Sequence, residues 1–265
     1  MNDSREDNKI SRGFWAERQF QDLMSAPLVS EFVFRSLRYF DNDGKGKRTE
    51  KEVIDHLLLL GRQCVLISQK MQDDPTKRTS ERNEQWVLKN IRRSLKPIIG
   101  AIKNPVEGLI WSDHPRLGKV EFQRLPQAIH GIVLAETWTP VDLSSIKNDL
   151  PFEVEGTPLT YLSVSDFVNL VLRLRTVPEL IEYLQARQSL PKGSLLSIGN
   201  EMALFGLYLM QRGNLAGCKG LVDAEIQIDH DLDSFRAALE RNNEWIRYSG
   251  FLEHVADRLA TRDPN

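Results

Sequence analysis

Apolar residues fall in short blocks along most of this chain, and the length and period of each block separate expected strands from expected helices. Val53 to Leu60 and Cys64 to Ser68 are two such blocks, parted by Gly61-Arg62-Gln63, and they predict two buried strands joined by a tight connection. Upstream, Phe14, Trp15, Phe20, Leu23 and Met24 recur at mixed three- and four-residue spacings, which predicts a helix ended by Pro27. Leu28 to Phe40, rich in Val, Phe and Tyr, fits an extended element and would also tolerate a helix. From Glu81 to Lys103 the period changes. Trp86, Ile91, Leu95, Ile98, Ile99 and Ile102 form an apolar side and Lys89, Arg92, Arg93 and Lys96 a basic side, with Pro97 expected to kink or divide the helix.

Further strands are expected at Gly108 to Trp111, Lys119 to Arg124 and Ile129 to Glu136, the last a continuous apolar run suited to a central strand covered on both faces. Thr, Pro, Ser, Asn and Gly then cluster through residues 137–160, interrupted by strand signals at Phe152 to Val154 and Tyr161 to Val164. Beyond them, Ser165-Asp166 reads as a helix start, and Thr176-Val177-Pro178-Glu179 as a capping-box entry to a second helix. An apolar helix over Gly199 to Gln211 follows, then a Gly-rich loop, Arg212 to Gly220, a short strand at Leu221 to Ile228, and amphipathic helices over Asp231 to Asn243 and Trp245 to Arg262. The pattern predicts an α/β domain over residues 12–140, with a mixed central sheet flanked by helices, and a mostly helical module over residues 141–265.

Candidate chemistry sits on the first strand pair. Asp55 opens one apolar block and Lys70 closes the next. Metal-dependent nucleases use such a layout: a carboxylate holds a divalent cation near the scissile phosphate, and an ammonium orients the attacking water and offsets transition-state charge. The Asp55 … Ser68-Gln69-Lys70 arrangement resembles the core of the PD-(D/E)xK, or restriction-endonuclease-like, superfamily, whose pattern is Asp, a short gap, then (Asp/Glu)-x-Lys on the next strand. More narrowly, EVIDHLLLLG…VLISQKMQDDP followed by a Trp-bearing basic helix resembles a group of uncharacterised bacterial proteins within or near that superfamily, over roughly Phe14 to Leu209.

That resemblance implies Mg2+ or Mn2+ as cofactor, Asp55 as a ligand, Lys70 as the charge-stabilising or water-orienting group, and a role in bacterial defence. The family acid two residues before the lysine is Ser68 here, and a hydroxyl is a poor magnesium ligand beside a carboxylate. Ser68 and Lys70 share a strand face while Gln69 points away, so Gln69 supplies a carbonyl ligand only if the strand twists or bulges. Glu17 on the expected first helix is the compensating acid and second metal ligand in this reading; Glu31, Glu50 and Glu52 are alternatives. The rival reading is a catalytically degenerate relative that binds nucleic acid or a protein partner.

Five other signals carry less. Asp41, Asp43, Gly46 and Glu52 match positions one, three, six and twelve of an EF-hand loop, but Lys45, Lys47 and Arg48 inside it would repel calcium, so the segment reads as a solvated hairpin. His130, alone on an apolar strand, reads as a hydrogen-bonded core residue; Asp113 and His114 read as a turn that could line a cleft. The acidic cluster Asp223, Glu225, Asp229, Asp231 and Asp233 reads as solvation and helix N-terminal charge. Arg212 to Gly220 lacks the glycine order of a phosphate-binding loop.

Composition narrows the setting. A chain of 265 residues, 41% hydrophobic, can bury one sizeable core and a smaller module. Its formal net charge of -2 puts any nucleic-acid binding, DNA foremost, on a local basic patch. Cys64 and Cys218 lack CxxC spacing and suit packing in a reducing cytoplasm. The charged start has no signal-peptide core, and apolar runs stop short of the roughly 20 residues a membrane helix needs, so no membrane partner is expected. A protein partner or a homo-oligomer stays open.

Overall fold

The computed structural model describes residues 32–42, 48–71, 79–114, 117–137, 139–199 and 201–262. Its frame is an eight-stranded mixed sheet built from β1 (Val33–Asn42), β2 (Arg48–Leu60), β3 (Gln63–Lys70), β4 (Glu107–His114), β5 (Gly118–Arg124), β6 (Gln127–Ala135), β8 (Glu153–Val154) and β9 (Thr157–Ser163). Strand order is β5-β4-β1-β2-β3-β6-β9-β8, while β7 (Val141–Asp142) and β10 (Ser197–Ile198) form a separate pair. Strands β1 to β5 pair antiparallel, whereas β3, β6 and β9 run parallel. The sheet therefore changes character at β3.

Helices cover the parallel part on both sides, which explains why β6 reads as an unbroken apolar run. Leu57, Cys64, Leu66, Val133 and Ala135 face α1 (Ser80–Lys103), which returns Val87, Ile91, Leu95 and Ile98. Alternate residues Leu58, Val65, Ile67, Ile132 and Leu134 pack with Phe167 and Leu170 of α2 (Val164–Leu174) and Leu180 and Leu184 of α3 (Val177–Gln188). Gly131 lets α1 and β9 close on β6: a Cβ there would lie 2.5 Å from Leu159 Cδ2 and 2.8 Å from Ile98 Cγ2. A smaller apolar cluster, including Leu204, Leu207, Leu215 and Ala224, joins α4 (Glu201–Met210) to α5 (Leu221–His230), and α6 (Leu232–Arg262) ends the described chain.

The α/β class with a large mixed sheet and flanking helices is as the sequence predicts. The Thr176 cap is present as well, its hydroxyl accepting from Glu179 N–H at 3.3 Å and donating to Glu179 Oε2 at 2.8 Å. Other expectations change. Residues on both sides of 140 share one sheet, because β9 pairs with β6 and β8 with β9. Pro97 does not divide α1, which continues through it to Lys103. Residues 221–230 are helical, not extended, since Ala224 is buried and Asp223 Oδ2 accepts from Lys219 N–H at 2.6 Å at the helix entry. A single helix, α6, replaces the two expected after Asp231. Asp113 and His114 belong to β4 rather than a turn, with Asp113 opposite Lys119 and His114 buried.

Candidate functional site

Asp55 and Lys70 meet because of the hairpin between β2 and β3. Gly61, at φ 61, supplies the left-handed turn position that a two-residue connection requires. The turn sets the register His56 opposite Ile67 and Leu57 opposite Leu66, so the next step of the same ladder carries Asp55 to Ser68. Period-two alternation then puts Asp55, Ser68 and Lys70 on the face that α1 covers.

Two side chains and one backbone N–H converge on a single Asp55 oxygen. Ser68 Oγ donates to Asp55 Oδ2 at 2.7 Å, the Gln69 backbone N–H donates to the same atom at 2.8 Å, and Lys70 Nζ stands 3.9 Å from it. Ser68 is fully buried, whereas the Asp55 side chain is 21% and that of Lys70 39% exposed. Two donors thus fix the carboxylate from behind while solvent reaches it from the front. An ion pair this open to solvent contributes little to folding.

Gln69 enters differently from the sequence expectation. Its contribution to Asp55 is the main-chain N–H; its side chain is buried on the opposite face beside His56. Glu17 and Glu31 lie outside the described residues. Glu50 bonds Arg38 at 3.2 Å, and Glu52 is exposed opposite Arg38 on β1, about 10 Å along the strand from Asp55 at 3.3 Å per residue. The EF-hand alignment fails in the same place: Arg48 to Glu52 belong to β2, and Asp41 pairs with Lys51. Sequence reading overlooked Glu136, which directly follows β6 and whose backbone N–H donates to the Lys70 carbonyl at 3.0 Å. Its signal was an acid ending the apolar run, visible only once β3 and β6 are known to be neighbours.

Among the described residues, no three His, Cys, Asp or Glu side chains are placed to share a metal ion. One carboxylate still fits magnesium, which keeps several waters and binds through one or two carboxylates together with substrate phosphates. Asp55 would be the residue holding it. Ser68, already donating its hydroxyl to Asp55, is spent as an orienting group.

Behind the site, the reverse face carries buried histidines. Burial pushes His56 down to about 4 against the opposing field of Asp55, and pushes His130, bonded to Thr160 Oγ1 at 2.8 Å, down to about 3. His130 is thus a core residue, as its apolar setting predicts. Both rings fold neutral, so below pH 6.5 the unfolded chain takes protons that the folded one refuses. Stability is full above pH 6.5 and falls toward pH 4, by about 2 kcal/mol per histidine at pH 5. Urea midpoints measured at pH 7 and pH 5 should show that drop, and equal midpoints would contradict it.

No family model matches this sequence, and comparison with curated proteins also finds no match. Among solved structures, the small subunit of the heterodimeric restriction endonuclease R.BspD6I is similar at 16% identity, over 90% of this chain and 89% of that chain, with a TM-score of 0.28. So loose a likeness fixes neither topology nor site, which rest on the strand order and distances above.

Proposed function

We propose that this chain is a nuclease-like protein that hydrolyses a nucleic-acid phosphodiester, DNA foremost, at the Asp55–Lys70 site. One observation carries the reading: a carboxylate and an ammonium 3.9 Å apart, on one face of adjacent strands and both open to solvent, with two further donors orienting the carboxylate. A magnesium or manganese ion held by Asp55 would polarise the phosphoryl group and lower the pKa of a water. Lys70 orients that water and offsets the charge that builds on the phosphoryl oxygens as the P–O bond to the leaving group breaks. Ser68 and the Gln69 N–H keep Asp55 from rotating away.

Cleavage assays on DNA and RNA with a metal panel test this directly. Activity should need Mg2+ or Mn2+ and fall at least about 100-fold in Lys70→Ala, the scale of losing one electrostatic stabiliser. Cutting that survives this change would defeat the assignment. Ser68 favours a second reading, in which loss of the family acid leaves a protein that binds nucleic acid without cutting it; wild-type binding with no cleavage under any metal would select it.

A further inference from the structure

From α1 we infer that a nucleic-acid backbone lies along the outer face of this helix, on a stripe formed by Arg82, Lys89, Arg92, Arg93, Lys96 and Lys103. The inference deepens the reading above by naming the surface that receives the substrate, but does not depend on cleavage. All six side chains are exposed, and the helical period gathers them opposite the buried residues Val87, Ile91, Ser94 and Ile98. At 1.5 Å per residue the stripe extends about 32 Å.

Sign imbalance distinguishes this stripe from an ordinary solvated face. Acidic and basic residues nearly balance in the chain, at 37 against 35, so a face of unrelated function would mix them. Here the neighbours one turn back are Gln85 for Lys89, Lys89 for Arg92 and Arg93, and Arg92 and Arg93 for Lys96. Each such position could hold a glutamate that would stabilise the helix; like charges there repel instead. Only Arg92 among these has a carboxylate partner in the described residues, Asp149 at 2.6 Å. A run of cations kept at a cost to the helix is complementary to a polyanion. A lipid surface fits less well, because the apolar side of α1 is already buried against the sheet and leaves nothing to insert.

The experiment is a salt titration of binding in EDTA, where no cutting occurs, with a labelled duplex of about 20 base pairs at 3.4 Å each. Wild-type affinity should fall steeply with salt, and Lys89→Gln/Arg93→Gln/Lys96→Gln should reduce the log–log slope by about 2.7, at about 0.9 per phosphate contact. Lys89→Arg/Lys96→Arg keeps the charges and should keep the slope. Unchanged affinity and slope in the triple variant, with its fold verified by circular dichroism, would overturn the proposal, as would no wild-type binding. Equal binding to vesicles rich in anionic lipid, lost in the same variant, would transfer the stripe to a membrane partner and overturn it too. Should the slope fall while cleavage is absent under every metal, the stripe stands and the hydrolytic reading fails; cleavage with an unaltered slope gives the converse.

Discussion

Arg187→Met is expected to destabilise the protein by about 3 to 5 kcal/mol, the scale of breaking one partner out of a buried ion pair. Arg187 on α3 and Glu201 on α4 are 1% and 2% exposed. The guanidinium forks onto the carboxylate, Nε to Oε1 at 2.5 Å and Nη2 to Oε2 at 3.0 Å, and Tyr183 Oη adds a bond to Oε1 at 2.6 Å. Burial works against the Arg187 charge, but the field and hydrogen bonds of Glu201 outweigh it and hold its pKa above the usual value. Burial likewise pushes the Tyr183 hydroxyl well up, so it remains a donor.

Removing the arginine leaves a carboxylate in an apolar setting, with Asp166, itself pushed up by burial and by Glu201, as an unfriendly neighbour. The pair Arg187→Met/Glu201→Leu removes both charges, so most of the loss should return. Urea denaturation of the four species of the cycle measures the coupling; a double variant no more stable than Arg187→Met would show that shape, not charge, holds α3 to α4.

How much of this was legible beforehand follows from the range of each interaction. The β2–β3 hairpin was, because a turn glycine and two apolar blocks are local signals, and local register was enough to place Asp55 against Ser68 and Lys70. Helix α1 was, because its apolar period runs for 24 residues. Pro97 misled because packing of Leu95, Ile98 and Ala101 against the sheet holds the helix together beyond what local propensity allows. Residues past 140 misled for a different reason. Turn-forming composition there marks a real excursion, but the chain comes back to add β9 beside β6, and parallel pairing across 21 residues of intervening sequence leaves no local trace. Glu136 beside Lys70, and the Arg187–Glu201 pair, were hidden likewise: both depend on contacts between elements far apart in sequence.

Ser68→Asp is expected to turn the one-carboxylate pocket at Asp55 into a site that holds a divalent cation, and this is the most direct probe of that pocket. In EDTA the variant should be less stable than wild type, because the introduced carboxylate takes the place of a hydroxyl that now donates to Asp55 at 2.7 Å, converting a hydrogen bond into like-charge repulsion. A divalent cation reverses that sign, since two carboxylates with Lys70 at the rim match the ligand number magnesium and manganese accept. Ion binding to the folded state alone raises stability by about 2.7 kcal/mol at one hundred times its dissociation constant. Thermal melts of both proteins with and without Mn2+ should show a large metal-dependent rise in the variant and a small one in wild type. Were manganese to leave the variant as unstable as EDTA does, Asp55 would not be facing a cation pocket, and the hydroxyl at 68 would serve only to orient Asp55 and fill the strand interior.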